Sequence, residues 1–248
     1  MKLFFFNQVN IITVAKVGSA NFLHCNYSQT QNIKHNHSLL RLQSVLNNES
    51  NCLIIIGIRN PIDRNLSYLF QTFNDNFYND VKTKKNNYKG EYCYISELSR
   101  DITSIYNNNN SINNLSTKKI IDIYFNQKYH NTFNDWFEEF LEITKIDNFD
   151  KEKGVDFYNF PNNNTIMIYT LEKLSENEKY ICEKLGITNF INRNNSEKRN
   201  YKNIYKVVKD TIVYTKEYLD NLLNTDIMRL FYDDDTIKEF YTNFKTSN

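Results

Sequence analysis

The sequence predicts an α/β fold: three layers, with a central parallel sheet flanked by helices and a helix-rich C-terminal half. Three observations lead there. Short β-branched runs, which read as strands buried on both faces, alternate with stretches of helical periodicity. Gly and Pro number only 5 and 2, which disfavours turn-dense all-β architectures. Aromatic residues make up 15% of 248, so one sizeable core is available and length alone does not demand a second domain. A single domain over 1–248 is therefore expected.

The first strand is expected at residues 10–15 (NIITVA), followed by a tight KVGSAN turn and a helix beginning near Asn21. Residues 52–58 (CLIIIGI) form the clearest buried strand. They lead into RNPIDRNLSYLFQTF, where Pro61 suits the first turn of a helix and Leu66, Leu69, Phe70 and Phe73 repeat at helical spacing. Residues 75–119 are polar, include NNNN at 107–110, and are expected to form a mobile insertion of helices joined by loops. An amphipathic helix is expected over 133–143 (FNDWFEEFLEI), a buried strand over 165–169 (TIMIY), and a helix over 178–185 that stops at Gly186. From Tyr201 onward the tail reads as largely helical. Alternating strands and helices imply a parallel sheet covered on both faces.

Charge narrows the possible partners. With 30 basic and 29 acidic residues, the net charge is +1, so no global field draws the chain onto nucleic acid or an anionic membrane. Any anion site must be local. Cys25, Cys52, Cys93 and Cys182 are widely spaced with no C-x-x-C pair, which fits a reduced, cytoplasmic setting. Nothing approaches the ~20 apolar residues of a membrane span. The opening apolar run is interrupted by Asn7, Gln8 and Asn10, which argues against a secretion signal. The excess of Asn, Lys, Ile and Tyr is spread along the whole chain and reads as codon usage of an AT-rich genome.

Two motifs carry chemistry. Lys16, Val17, Gly18, Ser19, Ala20 and Asn21 follow a strand and open a helix. Backbone N–H groups converge in such a turn, and a glycine lets them approach an anion closely. Lys16 and Ser19 add a charge and a hydroxyl. The spacing is not that of a Walker A loop, since Lys precedes the glycine. Taken alone, the stretch also fits an ordinary strand–turn–helix with a solvated Lys. The second motif is Arg59, at the end of the CLIIIGI strand, with Ser67 eight residues later. Arg at a strand's carboxyl end reaches the ligand crevice of a parallel sheet and offers a fork suited to phosphate. A surface ion pair for Arg59 and an exposed hydroxyl for Ser67 are the plainer alternatives.

Together the motifs are more specific than either half. K-x-G-S after a first strand, then a hydrophobic strand and R-[DN]-P-x-x-R-x-x-S, resembles the sulfotransferases that use 3′-phosphoadenosine 5′-phosphosulfate (PAPS). Here the second element runs Arg59-Asn60-Pro61-Ile62-Asp63-Arg64-Asn65-Leu66-Ser67. The resemblance implies that Lys16 through Asn21 cradle the 5′-phosphosulfate, and that Arg59 and Ser67 bind the 3′-phosphate. Asn60 stands where Asp is commoner, and serves as well as a helix cap. WFEEF at 136–140, FDKEKG at 149–154 and IMIYTLEKL at 166–174 look like bacterial capsular-polysaccharide sulfotransferases. In IMIYTLEKL, Glu172 reads as structural. Lys198 and Arg199 resemble the basic segment that closes over the 3′-phosphate in this family, though a solvated charge run is the alternative.

What the resemblance implies is an enzyme that moves a sulfuryl group by in-line displacement from PAPS, released as 3′-phosphoadenosine 5′-phosphate (PAP). The acceptor is a carbohydrate hydroxyl, in a surface or capsular glycan or its precursor, and the setting is the bacterial cytosol. No metal is required. Such chemistry rests on positioning and electrostatic stabilisation, and Lys16 is placed to stabilise the leaving oxygen. A base must also take the acceptor's proton. The KHNHSLL segment is similar to the His-x-His segment of uronyl 2-O-sulfotransferases, which makes His37 the base and His35 its support. Residues i and i+2 of an extended segment point the same way, although a pair of solvated loop histidines fits too. His24 reads as a surface or packing residue. Glu138 and Glu139 are reserve bases, and Trp136 is a candidate platform for a sugar ring or a core residue. A zinc site lacks further ligands at suitable spacing. Competing readings are a P-loop kinase-like phosphotransferase, which would need a Walker Lys and metal-binding carboxylates, and a non-catalytic carbohydrate-binding protein on the same fold. Oligomeric state leaves no trace in the sequence.

Overall fold

The structure is a computed structural model that describes residues 6–14, 17–28, 30, 32–72, 112, 116–126, 130–188, 190 and 201–247. By internal packing the chain divides into two units. One comprises Met1–Arg64, Tyr129–Asn195 and Val213–Asn248, and the other comprises Asn65–Lys128 and Ser196–Ile212.

The first unit holds a five-stranded sheet of β1 (Gln8–Ile12), β2 (Ile33–Asn36), β3 (Cys52–Ile58), β4 (Val155–Phe160) and β5 (Asn164–Thr170), in the order β2-β1-β3-β5-β4. The pairs β1–β2, β1–β3 and β3–β5 are parallel. The edge pair β4–β5 is antiparallel, joined by a short turn at Pro161–Asn163, which corrects the expectation of an all-parallel sheet. A turn that short can only return the chain beside its own strand, whereas a parallel neighbour needs a crossover.

Period-two alternation buries both faces. Val9, Ile11, Leu53, Ile55, Met167 and Tyr169 pack with Phe22 of α1 (Ala20–Leu23) and with Ile181 and Leu185 of α6 (Glu178–Leu185). The alternate residues Ile12, Ile54, Ile56, Ile166 and Ile168 are equally buried, so both faces are covered. Helices α2 (Leu39–Asn48) and α5 (Thr132–Thr144) pack on one another. β1 begins and ends earlier than the expected 10–15, of which Ala15 lies outside the described residues. The expected helix near Asn21 is a single turn starting at Ala20.

At the amino edge of the parallel strands, a polar network ties β1 to α2. Gln8 Nε2 donates to Asn10 Oδ1 at 2.9 Å and to Glu49 Oε2 at 2.8 Å. Arg41 forks onto Glu49 at 2.5 and 3.0 Å and also reaches Asn10 Oδ1 at 2.9 Å. Asn164 accepts from Cys52 N–H at 2.9 Å and donates to the Glu49 carbonyl at 2.9 Å. Burial pushes the Glu49 carboxyl up, but the hydrogen bond and charge of Arg41, helped by Lys34 and Gln8, outweigh it and hold the group below its ordinary range.

The C-terminal part of this unit is helical, as α8 (Lys216–Leu223), α9 (Asp226–Phe231) and α10 (Asp234–Thr242). Each begins on a side-chain cap, from Thr215, Thr225 and Asp233 respectively. A small parallel pair, β6 (Val213–Thr215) with β7 (Lys245–Ser247), was not evident from the sequence. Phe231 of α9 meets Phe137 of α5 and Phe149, with ring centroids 5.6 and 5.3 Å apart.

Helix α3 (Pro61–Thr72) crosses the division between units and begins at the expected proline. In the second unit, α4 (Thr117–Phe125) packs on α7 (Lys202–Thr211), and Phe70 meets the rings of Tyr201 and Tyr205. Of the polar insertion expected at 75–119, only Ile112 and residues 116–119 are among the described residues. Among the described residues no helix is long and apolar enough to cross a membrane.

Candidate functional site

Topology nominates the carboxyl edge of the parallel strands. From β1 the chain moves to β2 on one side, whereas from β3 it continues to β4 and β5 on the other. Loops leaving adjacent strands in opposite directions open a crevice, and ligands of open α/β sheets bind at such switch points. The loop after β1 is the Val17–Ser19 turn, and the residue that ends the run after β3 is Arg59.

The turn is held from behind. Gly18 has φ +82, and a Cβ there would lie 2.5 Å from Leu171 Cδ1. Gly57, inside β3, serves a different need. A Cβ at Gly57 would collide with the Tyr169 hydroxyl at 2.5 Å and the Val17 carbonyl at 2.8 Å. Tyr169 of β5 therefore reaches across β3 and donates to the Val17 carbonyl at 2.8 Å. Sequence reasoning missed this strut, although a lone glycine in an apolar strand signals a close backbone approach. Two N–H groups, of Asn21 and Phe22, are used by the Gly18 and Ser19 carbonyls. Those of Gly18 and Ser19 donate to no protein acceptor among the described residues, and the Ser19 hydroxyl makes no capping bond. Ala20 opens α1. Lys16 lies outside the described residues.

Arg59 is half-buried at the end of β3. The next residue, Asn60, is buried and caps α3: its side-chain oxygen accepts from Ile62 N–H at 2.9 Å and its carbonyl from Arg64 N–H at 2.9 Å. Glu172, on the turn after β5, accepts from Asn60 N–H at 2.8 Å and from the Tyr232 hydroxyl at 2.8 Å. Burial pushes its carboxyl up, against the pull of those two hydrogen bonds and the Arg59 charge. Ser67 lies on α3 in the second unit, where its hydroxyl accepts from Gln71 Nε2 at 3.1 Å.

Along the same edge of the first unit, the His-x-His segment spans the end of β2, with His35 inside the strand and His37 just after it. The rings of His35 and His37 lie 4.7 Å apart in an edge-on arrangement. His37 Nδ1 is 2.6 Å from the Thr13 carbonyl, an oxygen that can only accept, so Nδ1 carries the proton and a neutral ring keeps its lone pair on Nε2. Trp136 Nε1 donates to the His37 carbonyl at 3.1 Å, and its ring stacks on Phe140 at 5.7 Å and 8°. Desolvation first, and the neighbouring His37 second, hold His35 below the ordinary histidine range. His35, His37 and Trp136 are thus brought together, both histidines being exposed and Trp136 half-buried; Glu138 and Glu139 are exposed on α5. His24 is exposed at the end of α1. His130 bonds the Tyr218 hydroxyl, apart from this group. Lys198 and Arg199 lie outside the described residues. Among the described residues, no cluster of three or more His, Cys, Asp or Glu side chains is arranged to hold a metal ion.

Compared with known proteins, no family model matches this chain, and no curated protein or solved structure matches it.

Proposed function

We propose that this chain is a PAPS-dependent sulfotransferase acting on a carbohydrate hydroxyl, built on a P-loop-like nucleotide-binding fold. The observation that carries the reading is the switch-point crevice, flanked by a glycine turn with undirected N–H groups on β1 and by Arg59 on the adjacent β3. The donor, when bound, supplies the sulfuryl group and leaves as a 3′,5′-bisphosphate nucleotide. The residues present fit such a group. Gly18 and Ser19 N–H, with the Ser19 hydroxyl, are suited to the 5′-phosphate, and the Arg59 fork to the 3′-phosphate. Lys16 adds a charge to the 5′ side by resemblance.

The acceptor's proton goes to His37. Its Nδ1–H bond to Thr13 fixes the tautomer that leaves Nε2 basic, and the Trp136 bond fixes the backbone behind it. His35 stands beside it in the form favoured by its lowered pKa, the neutral one. The carbohydrate acceptor, a surface or capsular glycan or its precursor, is what the sequence resemblance supplies. The test is calorimetric titration with PAP and, separately, ADP. Micromolar PAP binding, with ADP weaker by about tenfold or more for want of the 3′-phosphate, is expected. Equal affinities, or no PAP binding by folded protein, would contradict the reading.

A further inference from the structure

One turn backs both halves of the crevice. Residues Leu171–Lys173 follow β5 directly. Leu171 packs behind Gly18, close enough that a Cβ there would meet it at 2.5 Å. The next residue, Glu172, turns to the other half and accepts the Asn60 N–H. That N–H belongs to the peptide plane that also contains the Arg59 carbonyl. Fixing it fixes the last backbone torsion of Arg59, and with it the direction in which the strand's end presents the guanidinium. The opposite side of Asn60 is held by its own cap on α3. Glu172 is in turn held through its second oxygen by Tyr232, which is buried beyond the end of α9.

We propose that Glu172 is a positioning residue of the anion site, acting on Arg59 through the Asn60 peptide, with Tyr232 holding the carboxylate in place. The inference rests on reading Arg59 as a phosphate ligand. Glu172 touches no reacting atom, and the role needs chiefly its acceptor contact with Asn60 N–H, which a glutamine keeps while reversing the bond to the tyrosine. Gln Oε1 accepts from Asn60 N–H, and Gln Nε2 donates to the tyrosine oxygen. Leucine fills the space but leaves both partners unsatisfied.

The experiment is PAP titration by calorimetry, well below each protein's Tm, for wild type, Glu172→Gln, Glu172→Leu, Tyr232→Phe and Arg59→Ala. Glu172→Leu is expected to weaken binding about tenfold or more and Tyr232→Phe by about threefold, with Glu172→Gln within about threefold of wild type or tighter. A residue that only supports the fold would lower Tm in the leucine variant and leave its affinity unchanged. Folded Glu172→Leu binding like wild type, or Glu172→Gln failing as badly as leucine, overturns the proposal. Should the leucine variant not fold, the other pair decides: Tyr232→Phe weakened with Glu172→Gln retained supports it, and both unchanged overturns it. Wild-type affinity in Arg59→Ala would instead sink the phosphate reading itself.

Discussion

The two edges of the parallel sheet are both polar, yet they are built differently. At the amino edge, Gln8, Asn10, Asn32, Arg41, Glu49, Cys52 and Asn164 bond one another. Arg41 meets its carboxylate as a fork, and the Asn10 oxygen takes two donors while its amide nitrogen has no partner among the described residues. At the carboxyl edge, hydrogen bonds run mostly to backbone: His37 to Thr13, Trp136 to His37, Tyr169 to Val17, Glu172 to Asn60. Those bonds fix the loops and leave out His37 Nε2 and the Gly18 and Ser19 N–H groups, the atoms proposed to act. A closed network stabilises. A braced but open one is what a ligand site requires.

If that contrast is right, substitutions at the two edges should separate binding and catalysis from stability. The largest effect is expected for His37→Ala, which should lower kcat by about 10²–10⁴ while leaving PAP affinity within about threefold, read by PAP release against a glycan acceptor and by calorimetry. Gly18→Ala comes next. Its φ of +82 and the Leu171 contact impose strain of about 1–2 kcal/mol on the turn, and PAP affinity should drop about tenfold. The smallest effect belongs to the other edge, where Glu49→Gln should cost about 1 kcal/mol of stability near neutral pH with no change in PAP affinity, measured by denaturant melts. The Glu49 carboxyl is depressed in the fold, so its contribution is present above the ordinary carboxylate range and is lost as pH falls through the lowered value. The gap between wild type and Glu49→Gln should therefore close in acid. A gap that persists there would mean that the Arg41 contact works through shape and not charge.

How much of this was legible in the sequence follows from how local each signal is. The CLIIIGI strand ended where the structure ends it, and Pro61 began the next helix, because a continuous β-branched run and an N-terminal proline declare themselves within a few residues. The helix over 178–185 stops at Gly186, in the left-handed region, for the same reason. Strands β2 and β4 were not legible. IKHN carries one apolar residue, and VDFYNF mixes its faces, since edge strands are fixed by a single neighbour rather than by burial on both sides. The His35–His37 proximity was readable from the i, i+2 spacing. The struts were not. Tyr169 and Val17 are 152 residues apart, and Asn60 and Glu172 are 112 apart, so only the folded sheet brings them together.

The central claim is that the carboxyl-edge crevice binds a bisphosphate nucleotide through Arg59. Its most direct test is PAP titration of wild type, Arg59→Ala and Glu49→Gln under identical conditions. Micromolar binding is expected for wild type and Glu49→Gln, with a loss of about 10–100-fold in Arg59→Ala, the scale of a charge-assisted phosphate fork. Arg59→Ala binding as tightly as wild type would contradict it.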